Sequence, residues 1–225
     1  MIGPSSQLRS TGLLSLLAVI AAALTAPLAA QGVRNGTLLV ASPGLTDPNF
    51  ARSVVLVLRT DDNGTLGVVL NHPTNLEPAT VFPEFAAGVG TYPGRLFRGG
   101  PISPAQLLLL VRGLAAATIA TPEILDKVFL TIDLDSLPDM VRLADGTNDL
   151  RIYAGHAAWG PGQLDAELRA GGWQVVQGTA DLVFHADPSK LWTELEGRGT
   201  TRSDLVAGLR GAGLRGAGVT VSVKP

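Results

Sequence analysis

What chemistry this 225-residue sequence could perform rests on three histidines, one tryptophan-bearing corner and two side-chain amides. His156, Trp159 and Gln163 lie within Arg151–Leu168, which reads as a buried strand, a glycine-rich turn and the start of a helix. Gln163 offers an amide, Trp159 a stacking face, and the turn its free N–H groups for an anion at a helix start. The competing reading is a structural corner, where Gly155, Gly160 and Gly162 permit the turn and Trp159 packs inward.

Arg52, Asn71 and His72 form the second candidate group, brought close if the strands on either side of Asn63-Gly64 pair as a hairpin. Asn71 stands at a strand end before Pro73, where its side chain caps the loop. His72 is a candidate general base, but no serine or carboxylate stands at a telling spacing. Asp47 and Asn49 read as Asx-turn residues, and His185 as a solvated loop histidine. A metal site needs three or four convergent ligands. Histidines at 72, 156 and 185 have no such spacing, so no metal and no cofactor is expected. There is no Gly-x-Ser-x-Gly elbow. Gly211-Ala-Gly-Leu-Arg-Gly216 matches Gly-x-Gly-x-x-Gly only as a product of a tandem Gly-Leu-Arg-Gly-Ala repeat, without a preceding strand or following helix.

The elements that must position these residues follow from periodicity. Strands are expected at Gly36–Ala41, Ser53–Arg59, Thr65–Asn71, Gln106–Arg112, Val128–Ile132, Arg151–Ala157, Trp173–Val176 and Leu182–Phe184. Asn63-Gly64 suits a type I′ turn. Helices are expected at Leu134–Leu143, Gly162–Ala170 and Pro188–Glu196, the last with Asp187 as N-cap. One helical turn is expected near Pro83–Ala87 in an otherwise long loop, and Gly99-Gly100-Pro101 is a sharp corner. Strands joined by hairpins, with helices clustered late, argue for α+β.

Composition narrows the partners. Hydrophobic residues make up 46% of the chain and charged residues 16%, enough for a core. Seventeen basic and nineteen acidic residues give a formal charge of −2, so no direct nucleic-acid contact is expected. The absence of cysteine removes disulfides, thiolate catalysis, zinc–thiolate sites and a lipid-anchored lipoprotein. Residues 1–30 show the order of a secretory signal: Arg9, an apolar run from Thr11 to Leu24, Pro27 and small residues to Ala30. Cleavage after Ala30 is expected, giving a periplasmic or secreted protein whose membrane contact is limited to this segment. A mis-called start codon, with the protein beginning near Val33, is the cytoplasmic alternative. Residues 31–198 form the domain and 199–225 a flexible glycine-rich tail.

Gly36–Pro43, Asp47–Val55, Gly64–Asn71 with Pro73, Gly99-Gly100-Pro101, Gly155 and Ala158–Leu164 occur in an order that resembles the YqgE/AlgH family of bacterial proteins. The resemblance covers about residues 35–198. It implies a single α+β domain on a coiled, partly barrel-like, mainly antiparallel sheet with a few helices, and it implies no established activity. Members are usually cytosolic, and one branch is named for a proposed role in regulating alginate production. Three functional expectations result. The first is an exported, non-enzymatic binding or regulatory protein whose protein or small-molecule partner is unknown, working through Arg52, Asn71, His72, His156, Trp159 and Gln163. The second is a cytosolic transcription-related regulator. The third is a hydrolase or transferase with a histidine base.

Overall fold

The computed structural model describes residues 33–83, 86, 92–118 and 123–199. The expected signal segment and the glycine-rich tail lie outside them. The chain divides at residue 31, and the architecture belongs to the described residues that follow.

Nine strands make one sheet: β1 (Thr37–Ala41), β2 (Val54–Asp61), β3 (Gly64–Val69), β4 (Leu96–Arg98), β5 (Ile102–Val111), β6 (Glu123–Leu125), β7 (Val128–Thr131), β8 (Leu150–Trp159) and β9 (Trp173–Gln177). Their order is β6-β7-β5-β8-β3-β2-β1-β9, with β4 added beside β8. All pairs are antiparallel except β4–β8. The result is a curled, antiparallel half-barrel with few helices. The helices are α1 (Pro78–Val81), α2 (Leu137–Leu143), α3 (Gln163–Arg169), α4 (Ala180–Val183) and α5 (Leu191–Leu195). Residues 37–41 and 54–58 are buried without alternation. Continuous Val/Leu runs of this kind belong to strands covered on both faces.

The curl is made in β8, whose alternating side chains feed two cores. Leu150 and Ile152 join Leu109, Val111, Leu137 and Met140, while Tyr153, Ala157 and Trp159 join the larger core of β1, β2, α3 and α5. The first half of β8 pairs with β4 and β5, and its last residues pair with β3. The change of partner falls just past Gly155, whose φ is 73°. A Cβ there would lie 2.7 Å from the Gly100 carbonyl oxygen and 2.9 Å from that of Ile102. Both the backbone sign and the close approach therefore require glycine. Opposite the bend, β5 bulges between Ile102 and Leu107, which increases the local twist.

Several expectations are corrected. Leu182–Phe184 is not a strand: Leu182 and Val183 lie in α4, which begins where Thr179 Oγ1 accepts the Leu182 N–H. A cap outweighs β-propensity in so short a run. Asp187 makes no side-chain cap. Its carboxylate binds Ser189 and Lys190 around a 3-10 turn, Pro188–Lys190, and the α-helix starts at Leu191. Asn63 does not take the positive φ of a type I′ turn. An Asx bond from its N–H to Asp61 turns the chain, and Gly64 alone carries positive φ, at 125°. The helical turn of the long loop lies at Pro78–Val81, where proline suits the first helical turn. Part of the range 83–87 lies outside the described residues. The strand Arg151–Ala157 runs on through Trp159, and β6 escaped sequence notice because three residues carry no period.

Candidate functional site

Arg52, Asn71 and His72 meet where β2 begins and β3 runs out. Counting back along the hairpin places position 53 opposite 71 and position 52 opposite 72, but the ladder stops at Val55↔Val69. Asn71 continues it with its side chain. The Val54 N–H donates to Asn71 Oδ1 at 2.7 Å, and Asn71 Nδ2 donates to the Arg52 carbonyl at 2.8 Å. Asn71 is 7% exposed, so this amide supplies backbone groups that water cannot reach. Arg52 holds a positive φ of 56°, and its guanidinium lies 5.0 Å above the Trp192 ring.

His72 stands between a serine and an arginine. Its Nε2 is 3.3 Å from Ser53 Oγ, and its Nδ1 is 3.2 Å from Arg98 Nη2. The Arg98 backbone N–H also donates to the His72 carbonyl at 3.0 Å. A guanidinium has donors and no acceptor, so Nδ1 carries the lone pair and the proton sits on Nε2. Ser53 Oγ then accepts from the ring. Burial, followed by the Arg98 charge, lowers the His72 pKa from 6.5 to about 4, so the ring is neutral at pH 7. In a serine–histidine catalytic pair the imidazole must accept from the hydroxyl and be steadied by an acceptor at its other nitrogen. Here the polarity is reversed, and Ser53 is fully buried.

The signature corner is built from different bonds than its residue types suggest. Trp159, 3% exposed, is the last residue of β8 and faces the core. It stacks on Phe50 at 5.8 Å and meets Trp173 edge-on at 5.8 Å. Glu167 Oε2 accepts both indole N–H groups, at 2.9 Å from Trp159 and 2.8 Å from Trp173. Glu167 Oε1 accepts from Gln163 Nε2 at 3.0 Å, while Gln163 Oε1 accepts the Gly160 N–H at 3.1 Å. Gln163 is exposed, yet both ends of its amide are engaged. A cleft of about 220 Å³ opens beside this corner, with Thr60, Thr65, Gly160, Gly162, Asp61 and Asp165 in its walls. Neither Trp159 nor Gln163 lines it.

His156 pairs with Ile102 at the β8 bend, and partial burial lowers its pKa. It belongs to neither hydrogen-bonded group above. His185 binds Glu194 through Nε2 at 3.1 Å and the Asp187 backbone through Nδ1. Arg151 is buried, and no carboxylate pairs with it among the described residues. It donates to the carbonyls of Val183 and His185 and lies between the Phe97 and Phe184 rings, tying α4 to β8. Its Nε and the nearby Tyr153 hydroxyl have no hydrogen-bond partner among the described residues. Burial raises the Tyr153 pKa to about 12, against the opposing pull of Arg151. No group of three His, Cys, Asp or Glu side chains converges among the described residues.

The structure thus joins Arg52, Asn71 and His72, and joins Trp159 to Gln163 only through Glu167. Sequence reading missed Ser53, Arg98, Glu167 and Arg151. Hairpin counting could have found Ser53. Arg98 reaches His72 through an isolated antiparallel bridge, Pro73↔Phe97, that no local pattern announces.

A family model described as AlgH-like matches residues 38–200. A UPF0301 protein of Streptomyces coelicolor is 42% identical over 165 residues, 71% of this chain and 83% of its own length. A UPF0301 protein of Streptomyces avermitilis is 40% identical over 177 residues, 76% and 90% of the two chains. A crystal structure of a Corynebacterium diphtheriae protein aligns with a TM-score of 0.62 at 28% identity, covering 77% of this chain and 91% of that one. The solution structure of the AlgH protein from Pseudomonas aeruginosa shares the fold, with a TM-score of 0.58 at 24% identity over 77% and 93% of the chains.

Proposed function

Because the chain belongs to the AlgH-like (YqgE/AlgH) family, whose fold carries no assigned chemistry, we propose that it acts by binding and performs no turnover. The binding face is the one on which Asn71, His72, Arg98 and the Gly99–Pro101 corner are tied together. The observation that carries this reading is the polarity of the Ser53–His72–Arg98 chain. The arginine holds the imidazole in the tautomer that cannot accept a serine proton, and it opposes the imidazolium a general base would become. The test is a panel of ester, phosphoester, glycoside and acyl-transfer substrates against the wild type and His72→Gln. Background rates in both are expected. Turnover that His72→Gln abolishes would overturn the reading and restore the histidine-base enzyme.

The protein is further proposed to act outside the cytosol, as an exported binding or regulatory protein whose mature chain starts at Gln31. The support is the order of Arg9, the apolar run and the small residues before Gln31. Fractionation with N-terminal sequencing decides it. A cytosolic chain starting near Val33 would refute export and favour the transcription-related alternative, acting without direct nucleic-acid contact.

A further inference from the structure

We propose that Arg98, presented by the Ser53–His72 pair, is an oxyanion receptor, taking a carboxylate or phosphate group carried by the ligand or partner. The inference rests on the binding reading above and names the chemistry of that site.

Arg98 is exposed at the end of β4 and fixed to His72 twice, through its guanidinium and its backbone N–H. What holds the guanidinium is a neutral ring. A carboxylate in that place would orient the side chain and cancel its charge, whereas imidazole Nδ1 orients it and leaves the charge for a ligand. Five other cations among the described residues are answered by acids: Arg59 by Asp61, Arg95 by Glu77, Arg112 by Asp149, Arg142 by Asp139, and Lys190 by Asp187. Among the described residues no carboxylate pairs with Arg98, in a chain whose acids outnumber its bases. Arg52 lies beside it, without a paired carboxylate of its own among the described residues. Its backbone is tied to Asn71 and its guanidinium rests on Trp192.

The fork geometry favours an oxyanion over other acceptors. One N–H of Nη2 is spent on His72, so one edge of the guanidinium keeps two parallel donors for a planar or tetrahedral anion. Ser53 accepts from the far side of the ring and stops it from rotating. Asn71 clips the adjoining backbone to β2. Little side-chain freedom is left to lose on binding, and such preorganisation favours affinity.

The test follows the Arg98 Nε–Hε NMR signal of the full chain, and in every variant the backbone amide signals of Gly99 and Gly100, during titration with sodium phosphate, sodium acetate and a tetraglutamate peptide. Sodium chloride holds ionic strength constant. Saturable shifts with an oxyanion are expected. Phosphate as the tightest probe marks a phosphorylated small molecule, and the peptide as the tightest marks an acidic protein partner. Arg98→Gln is expected to weaken binding at least about tenfold, the value of one charge-assisted hydrogen bond. Arg52→Gln is expected to weaken it less. His72→Asn retains an acceptor for Arg98 and binds close to wild type, while His72→Leu loses the orientation and binds like Arg98→Gln. Shifts that chloride alone reproduces, or oxyanion binding unchanged by Arg98→Gln, overturn the inference. A neutral ligand that raises the melting temperature of the wild type and not of Arg98→Gln, without an oxyanion response, overturns it while leaving the binding reading intact.

Discussion

Replacing Asn71 separates a structural clip from a ligand contact, and two variants do so with different pH signatures. In Asn71→Ala the Val54 N–H, in a fully buried residue, loses its acceptor. An unsatisfied buried donor costs about 1–3 kcal/mol, and the lost bond to the Arg52 carbonyl adds about 1 kcal/mol. The sum, about 2–4 kcal/mol, lowers the melting temperature by about 5–15 °C in a domain of this size. Asn71→Asp keeps an acceptor for Val54 but sets a buried carboxylate oxygen against the Arg52 carbonyl. At pH 7 it should be at least as damaging as alanine. The new carboxyl has its folded pKa raised, because only the protonated form donates to that carbonyl. Its contribution is therefore restored as pH falls and lost as pH rises through the folded pKa. Thermal denaturation of wild type and both variants from pH 4.5 to 8 reads this as a difference from wild type at each pH. The gap should narrow toward low pH for aspartate and stay level for alanine. Losses below about 1 °C for both, or parallel pH profiles, would refute the clip.

Glu167→Leu strands two indole N–H groups on nearly buried tryptophans and should cost about 2–5 kcal/mol in urea unfolding, with a change in tryptophan fluorescence. Glu167→Gln, which retains an acceptor oxygen, should cost less. Gly155→Ala meets two carbonyl oxygens at a φ of 73° and should cost at least about 2 kcal/mol by the same assay. His72 has a folded pKa of about 4 against 6.5 unfolded, so its contribution is complete above 6.5 and lost as pH falls toward 4. Stability should decline across that window with a slope below about 1.4 kcal/mol per pH unit, because the ring is partly exposed, and His72→Asn should flatten it.

Much of the sheet was legible because its apolar runs are long. Val54–Leu58 declares a buried strand by itself and Leu107–Val111 does so by its length and position, whereas Gly155 reads as part of the strand-to-helix turn and lies instead at a bend inside β8. The short elements were not legible. The Leu-Val-Phe run after Asp181 reads as a strand until Thr179 caps it and Arg151 takes its carbonyls from β8. At the site, residue types drew notice to Asn71 and His72, and the hairpin brought them to Arg52. Their roles depended on Arg98, which arrives from β4 and sets the tautomer. Trp159 and Gln163 looked like ligand groups because nothing in their spacing shows that Glu167, one helical turn beyond Gln163, takes donors from both.

Burial and the Arg98 guanidinium hold His72 as a neutral, Nε2-protonated ring that presents a cation. Long-range proton–nitrogen NMR of the imidazole, followed through a pH titration, tests it directly. An Nε2–H tautomer at pH 7, a midpoint near 4, and a shift toward 6.5 in Arg98→Gln are expected. An Nδ1–H tautomer, or a midpoint at or above 6.5 in the wild type, would contradict it.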